Sequence, residues 1–352
     1  MNNPPVGARE HAFCVAPMMD WTDRHCRRFH RVLSRRARLY TEMVTTGALL
    51  HGDLSRLLDF DASEHPVALQ LGGSEPDDLA RSARLGERWG YDEINLNCGC
   101  PSERVQRGAF GACLMAEPAL VADCVKAMQD AVSVPVTVKH RVGLGRSDDY
   151  GFVRDFVGTL FDAGCRVFIV HARNAWLEGL SPKQNRDVPP LRPDLARRLK
   201  TDFPSATIVL NGGLQSLDEA LPHLGPLDGV MLGRQAYHDP WLLVEVDARV
   251  FGEPPSGATR ADVVQAMIVY ARERASHGVP LRSIVRHMLG LYHGEPGARQ
   301  WRRTLSDARL LDRADAGLLA EALQHVERAR GAPRAHRFAA QPPAAGAREP
   351  RM

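Results

Sequence analysis

The sequence has no long apolar run and no even set of paired cysteines. No apolar stretch approaches the ~20 residues that a membrane-spanning helix needs, and the polar residues 1–11 lack the apolar core of a secretory signal peptide. The 7 cysteines are an odd number scattered along 352 residues, which does not indicate a disulfide framework. These absences predict a protein of the reducing cytoplasm with no membrane segment.

Two cysteines do lie close together, at Cys98 and Cys100. A Cys-x-Cys pair could be half a metal site, but zinc normally takes four ligands in paired spacings, and no second Cys/His pair lies nearby. A lone buried cysteine is often only a small apolar residue. Because Cys100 lies in a Gly/Pro turn directly after an apolar strand, we expect no metal and instead a thiol that acts as an acid or a nucleophile.

The chain is longer than the size at which a single hydrophobic core stops growing, so one large domain and a smaller one are expected. Its 44% hydrophobic and 25% charged residues are typical of a globular protein. The sequence further divides into an N-terminal extension (1–12), a barrel (13–250), a helical domain (258–330) and a disordered tail (331–352).

Eight short, mostly continuous apolar runs alternate with helix-compatible segments such as 77–89 and 118–131. Runs of this kind are typical of parallel strands covered on both faces. Eight strand-then-helix units in this length predict an α/β fold, a (β/α)8 TIM barrel. A doubly wound sheet is the alternative, but the first strand lacks a Gly-x-Gly-x-x-Gly turn. The predicted strands are 13–18, 39–44, 66–71, 93–97, 135–139, 167–171, 207–211 and 229–232.

After the barrel, residues 251–257 read as a linker rich in glycine and proline. Helical periodicity then predicts a small all-helical domain. From residue 331 the chain is rich in Ala, Pro and Arg without periodicity, which predicts disorder. The predicted helices are 261–276, 281–293, 298–305 and 316–330.

The net charge of +3 conceals an asymmetry. Residues 260–352 contain 16 arginines, no lysine and 9 acidic residues, a net charge of +7, so the preceding residues carry −4. Either the C-terminal part meets a polyanion, or it has an arginine-rich solvated surface. Two groups of arginines recur at helical spacing, Arg282/Arg286 and Arg299/Arg302/Arg303, and so would share a helix face.

Polar side chains follow the predicted strands one after another. In a barrel of this type the carboxyl ends of the strands form the site, so these side chains should converge on one rim. They are Asp20, Glu42, Gln70, Asn95, Asn97, Cys100, Lys139, Arg141, His171, Asn211 and Arg234.

Two features of this rim suggest a phosphorylated, electron-accepting ligand. The turns Asn211-Gly212-Gly213 and Gly233-Arg234 follow strands 7 and 8, where barrels commonly hold a phosphate, although a Gly-Gly pair can simply make a tight turn. Lys139 ends an apolar strand and should point inward, where a lysine needs a negative partner. That partner is either the reduced edge of a flavin or a buried acid such as Glu42.

Taken in order, these segments resemble the tRNA-dihydrouridine synthase family, whose members are FMN-dependent barrels. The resemblance runs from about residue 13 to residue 304, and the segments at 179–191 and 296–303 resemble the A-type subfamily. The matching segments are APMMDWTD (16–23), TEMVTTGA (41–48), PVALQLGG (66–73), YDEINLNCGCPS (91–102), GACLM (111–115), PVTVKHRVG (135–143), HARNAW (171–176), NGG (211–213) and GVMLGR (229–234).

The resemblance implies roles for particular residues. Cys100 matches the general acid of the family, and Cys98 has no implied role. His140 departs from the small hydroxyl residue common in relatives and should face outward from the barrel. The implied flavin contacts are Pro17, Met18, Met19, Gln70, Lys139, His171, Asn211, Gly212, Gly213, Gly233 and Arg234. The implied tRNA contacts are Asn97, Lys183, Arg186, Arg299 and Arg302.

The activity that the resemblance implies is reduction of uridine to 5,6-dihydrouridine in the tRNA D-loop, at positions 20 and 20a. Flavin N5 would deliver hydride to C6, Cys100 would protonate C5, and NADPH would reduce FMN. A monomer is expected because the barrel mouth must admit a large RNA. An FMN barrel acting on a small molecule, such as a dihydroorotate or dihydropyrimidine dehydrogenase, is one alternative. An RNA-binding module without catalysis is the other.

Overall fold

A computed structural model describes residues 10–147, 149–312 and 315–331. Most of the predicted N-terminal extension and nearly all of the predicted disordered tail lie outside the described residues. Within them, no helix is both long enough and apolar enough to cross a membrane.

Eight parallel strands close into a barrel in which each strand pairs with its neighbours in the sequence and β8 pairs with β1. Every predicted run overlaps one of these strands. The predicted (β/α)8 barrel is confirmed, and the doubly wound alternative is wrong. The strands are β1 (Phe13–Val15), β2 (Arg38–Thr45), β3 (Val67–Gly72), β4 (Glu93–Cys98), β5 (Val136–Arg141), β6 (Val167–His171), β7 (Thr207–Asn211) and β8 (Gly229–Leu232).

Alternation along the strands separates two buried regions. On β4, Ile94 and Leu96 pack outward into the large core beneath the helices, whereas Glu93, Asn95 and Asn97 have the opposite parity and point into the barrel. The interior is lined by a second, smaller apolar cluster that includes Cys14, Tyr40, Ala68, Ile169, Val209 and Met231. Polar side chains of β4 and β5 therefore meet inside the barrel.

Helices surround the barrel, and local sequence explains where the longer ones begin. Pro76 and Pro118 occupy first-turn positions, where the missing N–H costs no hydrogen bond. The Asp23 side chain accepts from the amides of His25 and Cys26 to cap the first helix. The helices are α1 (Arg24–Leu33), α2 (Thr46–His51), α3 (Leu54–Leu58), α4 (Pro76–Arg88), α5 (Glu103–Arg107), α6 (Pro118–Gln129), α7 (Tyr150–Asp162), α8 (Pro193–Asp202), α9 (Leu217–Ala220), α10 (Arg234–His238) and α11 (Val246–Phe251).

The first strand is shorter than predicted, since it ends at Val15 rather than Met18. Ala16 still donates to Leu232 O at 2.8 Å, but Pro17 has no N–H to donate. Trp21 and Thr22 then donate back to Met18 O, so residues 18–22 form a turn at the rim of the barrel.

The C-terminal region is all helical, as predicted, and contains α12 (Arg260–Ser276), α13 (Leu281–Val285), α14 (Ala298–Ser306), α15 (Ala308–Leu311) and α16 (Gly317–Gly331). A capping box between Thr259 and Asp262 fixes the start of α12. This region packs on α1, where His25 Nδ1 lies 2.7 Å from Tyr270 Oη.

One helix prediction in this region is wrong. The segment 281–293 is helical only to Val285 and continues as hydrogen-bonded turns. A Cβ at Gly290 would lie 2.3 Å from His238 O, so the chain there packs directly on the backbone after β8. Tertiary contact has overridden the local helical pattern.

Candidate active site

A large cleft opens at the carboxyl ends of the barrel strands. Its volume is about 1400 Å³, and residues from all eight strands or the loops that follow them line it. The structure places every predicted flavin contact on its wall. Those lining residues are Pro17, Met18, Met19, Gln70, Lys139, His171, Asn211, Gly212, Gly213, Gly233 and Arg234.

Cys100 lines the same cleft and is held by a turn that Asn97 organises. The Asn97 Oδ1 atom accepts from the amides of Gly99 and Cys100, both at 3.0 Å. The Cys100 Sγ atom lies 3.6 Å from Ser102 Oγ, and Ser102 caps α5 by accepting from the amide of Val105. A partly exposed thiol is thus presented to the cleft from a backbone fixed on both sides.

Cys98 lies on the other side of the strand. It is fully buried in the outward core, where removal from water raises the pKa of its thiol well above the usual value. Because Cys98 and Cys100 face different regions, they do not chelate a common ion. Among the residues that the structure describes, no group of three His, Cys, Asp or Glu side chains is arranged to hold a metal.

Lys139 points into the barrel mouth, as its strand position predicts. Its Nζ atom donates to Asn211 Oδ1 at 3.0 Å, and Asn211 Nδ2 in turn donates to Met231 O at 2.8 Å. The structure pairs Lys139 with an amide, not with Glu42, which was the alternative. Burial, with a smaller contribution from the nearby Arg141 guanidinium, lowers the pKa of Lys139 to about 7. An anion entering the cleft would therefore meet a poorly compensated ammonium group.

The turn after β7 has no room for side chains at its two glycines. Gly212 and Gly213 have φ values of +107° and +76°, a region that favours glycine. A Cβ at Gly212 would lie 2.7 Å from the His171 ring, and one at Gly213 would lie 2.4 Å from the Leu191 side chain. Burial keeps the pKa of His171 well below its usual value, so the ring is neutral.

Arg234 follows β8 and already has an anionic partner. Its guanidinium donates to both oxygens of the Asp187 carboxylate, at 2.6 and 3.2 Å. The hydrogen bond and charge of Arg234 lower the pKa of Asp187. This part of the wall therefore binds a two-oxygen anion in the structure, and the contact with Asp187 was not predicted.

Arg141 has a role that the sequence analysis did not assign. Its buried guanidinium donates to Gly99 O at 3.1 Å, Asn174 O at 3.3 Å and Asn185 O at 2.8 Å. It thereby joins the Cys100 turn to the loops after β6. Burial lowers its pKa to about 10, so it remains charged at neutral pH. The sequence does contain one indication of this position: Arg141 lies two residues after Lys139 on β5, so its side chain points to the same side of the strand.

Glu42 also reaches the cleft, through an irregularity in β2. The pairing register of β2 with β3 shifts between Tyr40 and Met43, and such shifts often redirect a side chain near a site. The Glu42 carboxylate accepts from the backbone amide of Asp20, in the turn that follows β1. Burial, together with the nearby carboxylates of Asp23 and Asp20, raises its pKa.

The predicted tRNA contacts fall into two groups. Asn97 and Arg186 line the cleft, and Lys183 is exposed on the same loop as Arg186. Arg299 and Arg302 lie apart from the cleft, exposed on α14 together with Arg303. The structure thus separates a cleft set from a helix set, and both remain predicted tRNA contacts.

The side chains of Arg282 and Arg286 both contact other parts of the protein. Arg286 lies just beyond the end of α13 and donates to Asp20 O at 2.7 Å, in the turn after β1. Arg282 lies 3.8 Å from Asp312. Arg286 is the C-cap of α13, and its amide still donates to Arg282 O, so the two residues share the last turn as expected, but their side chains contact Asp20 O and Asp312.

His140 faces away from the cleft, as predicted from alternation along β5. It is completely buried, with its ring centroid 5.3 Å from that of Phe156 on α7 and 6.1 Å from that of Phe168 on β6. The departure from the usual small residue therefore affects packing between barrel and helix, not the cleft wall.

Comparison with known proteins assigns the chain to a family. A family model described as dihydrouridine synthase (Dus) matches residues 14–329. The tRNA-dihydrouridine(20/20a) synthase of Pseudomonas putida is 61% identical over 294 residues, which cover 84% of this chain and 88% of that protein. Proteins of the same name from Xanthomonas campestris and Salmonella typhimurium are each 56% identical, over 309 residues (87% of this chain, 92% of the relative) and 315 residues (89% and 95%).

The match covers most of the chain, and the motifs that line the cleft fall inside it. The predicted family resemblance is therefore confirmed, and the chain belongs to the dihydrouridine synthase family.

Proposed function

We propose that this protein reduces uridine to 5,6-dihydrouridine in the D-loop of tRNA, at positions 20 and 20a, with FMN as cofactor and NADPH as reductant. The observation that carries the proposal is the pairing, in one cleft, of the Cys100 thiol with the cationic and amide wall around Lys139. Relatives with 56% and 61% identity bear the name tRNA-dihydrouridine(20/20a) synthase.

The cleft residues fit FMN in chemical terms. Lys139 offers an ammonium whose only hydrogen-bond partner among the described residues is a neutral amide, which suits a ring edge that becomes negative on reduction. Gly212 and Gly213 line the cleft as bare backbone, because a Cβ at either position would collide with His171 or Leu191, and such backbone can approach a phosphate closely. Arg234 already accommodates the Asp187 carboxylate, an anion with the fork geometry that a phosphate shares.

When bound and reduced, FMN would supply the hydride for C6 of the uracil ring. Lys139 and His171 would hold the polar edge of the cofactor, with Gln70 contributing its amide. Gly212, Gly213, Gly233 and Arg234 would hold the phosphate, and Pro17, Met18 and Met19 would cover the apolar part.

Cys100 would donate a proton to C5 from the side opposite the cofactor. An ordinary thiol is protonated at neutral pH yet able to release its proton, which suits a general acid. The bonds from Gly99 and Cys100 to Asn97, together with the bond from Arg141 to Gly99 O, fix the backbone that carries the thiol. Positioning of this kind accounts for a large share of enzymatic rate enhancement.

The target base must leave its stack to reach the cleft, which costs a few kcal/mol and less for a loop base. We propose that the helical region, residues 258–330, offsets this cost through phosphate contacts from Arg299 and Arg302, while Lys183, Arg186 and Asn97 contact RNA nearer the base. The exposed arginines of α14 lie on a region with a net charge of +4, from 12 arginines and 8 acidic residues in 258–330. We also propose that the protein acts as a monomer.

The proposal is tested by product mapping. Purified protein, NADPH and a tRNA transcript with U20 and U20a should yield dihydrouridine at those positions, detected by mass spectrometry of nuclease fragments. Transcripts carrying cytidine at one or both positions serve as matched controls. Dihydrouridine formed only elsewhere in the tRNA would contradict the assigned positions, and comparison of NADPH with NADH consumption would test the reductant.

A further inference from the structure

A chain of side-chain hydrogen bonds runs through the barrel interior from the Cys100 turn to Glu93 at the opposite end. The amide of Cys100 donates to Asn97 Oδ1 at 3.0 Å, and Asn97 Nδ2 donates to Gln70 Oε1 at 2.8 Å. Gln70 Nε2 then donates to Asn95 Oδ1 at 2.7 Å, Asn95 Nδ2 to Thr137 Oγ1 at 2.8 Å, and Thr137 Oγ1 to Glu93 Oε1 at 2.6 Å.

The direction of this chain is fixed at both ends by chemistry. An ionised carboxylate can only accept, so Thr137 must donate to Glu93 and is left to accept from Asn95. A backbone amide can only donate, so Asn97 must present its oxygen to Cys100. Every donor between these ends points the same way, and aligned hydrogen bonds polarise and strengthen one another.

Glu93 is itself anchored so that it stays ionised. It is fully buried at the start of β4, with His11 Nε2 at 2.7 Å, Arg38 Nη1 at 3.2 Å and a hydrogen bond from Tyr40 Oη at 2.8 Å. Although burial opposes ionisation, His11 and Arg38 hold the pKa of Glu93 at about 2. The anchor is therefore a permanent negative charge at the end of the barrel remote from the cleft.

The consequence concerns the amides that face the cleft. A flipped Gln70 or Asn97 would present donors where the site now presents acceptors, and would lose its bond to the next member of the chain. We propose that Glu93, Thr137 and Asn95 are positioning residues, which fix the amide orientation of Gln70 and Asn97 and thereby the cofactor contact and the Cys100 turn. This inference rests on the proposed function, because it assigns these amides to FMN and RNA.

Two substitutions separate this role from ordinary core stabilisation. Thr137 and Tyr40 are both fully buried, and each gives one hydroxyl hydrogen bond to the same oxygen of Glu93. Thr137→Val breaks the chain, whereas Tyr40→Phe removes an equivalent bond and leaves the chain intact. Thr137→Ser keeps the hydroxyl and should restore the chain.

The measurements are the dissociation constant of FMN, the visible spectrum of bound FMN, and KM and kcat with tRNA. We expect Thr137→Val to weaken FMN binding about tenfold, the effect of roughly one hydrogen bond, with a shifted flavin spectrum and a lower kcat. Tyr40→Phe should lower the melting temperature but leave FMN binding and kcat within about twofold of wild type. Thr137→Ser should likewise leave FMN binding and kcat within about twofold of wild type.

Equal effects of Thr137→Val and Tyr40→Phe on FMN binding and kcat would overturn the inference, as would no effect of Thr137→Val. If Thr137→Val does not fold, Thr137→Cys offers a thiol that donates and accepts more weakly, and an intermediate loss of FMN affinity is expected. A wild-type protein that binds no FMN would instead refute the proposed function, so the two failures are distinguishable.

Discussion

The Nζ atom of Lys139 donates a 3.0 Å hydrogen bond to Oδ1 of Asn211, and among the described residues no carboxylate lies within ion-pair distance of it. The two side chains come from β5 and β7 and meet at the barrel mouth. A neutral amide stabilises an ammonium much less than a carboxylate would. An anion that enters the cleft would therefore supply the negative partner that the Lys139 ammonium lacks.

The affinity for FMN should depend on the protonation of Lys139. Its pKa is lowered to about 7 in the free protein, and a bound anion favours the protonated form, so affinity should fall as pH rises above about 7. The range from pH 7 to 9 is suitable because a phosphate monoester, with its second pKa at ~6, is already dianionic. Fluorescence titration of FMN across this range measures the effect.

The variant Lys139→Met should bind FMN about tenfold more weakly at pH 7, as expected for one lost charge-assisted contact, and should show no such pH dependence. Lys200→Met is the matched control, since Lys200 pairs with Asp228 outside the cleft. A pH dependence that persists unchanged in Lys139→Met would assign the titration to another group.

Removal of the thiol should separate cofactor binding from chemistry. In Cys100→Ala, FMN content should equal that of wild type, whereas the rate of tRNA reduction should fall by about 10²–10⁴-fold, the usual contribution of a general acid. Single-turnover oxidation of the reduced enzyme by tRNA measures this step. Cys113→Ala, a partly buried cysteine outside the cleft wall, should retain full activity. Full activity in Cys100→Ala would rule out the assigned role.

Binding of tRNA should weaken with salt, and α14 should account for part of the slope. Each phosphate contact adds about 0.7–0.9 to the slope of log Kd against log salt concentration. The double variant Arg299→Ala/Arg302→Ala should therefore flatten the slope by about 1.4–1.8. The matched control is Arg81→Ala/Arg84→Ala, an exposed pair with the same spacing on α4. Equal slopes for wild type and the α14 variant would place the docking surface elsewhere.

The buried charge of Glu93 should make stability sensitive to acid. Its folded pKa, about 2, lies below the usual value of a glutamate, so the unfolded chain binds more protons as pH falls below ~4.5. The stabilisation by Glu93 is thus complete above that pH and is lost progressively towards pH 2. Urea unfolding between pH 3 and 7 measures the free energy of unfolding.

Glu93→Gln should lower the free energy of unfolding at pH 7 by about 3–5 kcal/mol, because the buried Arg38 loses its fully buried carboxylate partner and keeps the exposed one of Glu10. Its stability curve should also be flatter below pH 4.5. Glu10→Gln, which removes an exposed carboxylate 3.2 Å from the same arginine, should cost less than about 1 kcal/mol. Similar losses in the two variants would show that Glu93 does not carry the acid sensitivity.

Much of the fold was predictable because parallel strands buried on both faces leave continuous apolar runs. The runs at 207–211 and 229–232 coincide with β7 and β8 in full. Helices with strong local signals, such as α12 with its capping box, were placed to within a residue. The segment 281–293 was not, because close packing of Gly290 on the backbone after β8 decides its conformation.

The cleft wall was predictable to the extent that strand parity and family motifs identify it. Lys139 points inward and Cys100 faces the cleft, as expected. The contact between Asp187 and Arg234 joins residues 47 positions apart in the sequence, and the redirected Glu42 depends on a register shift in β2. Neither leaves a periodic or compositional trace. The chain from Cys100 to Glu93 likewise requires the closed barrel to bring β3, β4 and β5 together.

The most direct test of the account is an anaerobic one. The flavin of the purified protein is reduced, tRNA lacking dihydrouridine is added, and the visible absorption of the flavin is followed. Rapid return of the oxidised spectrum is expected with this tRNA, and a far slower return with the same tRNA already modified. A flavin that stays reduced with tRNA but is reoxidised by orotate would contradict the proposed substrate, and a folded protein without any flavin band would contradict the cofactor site.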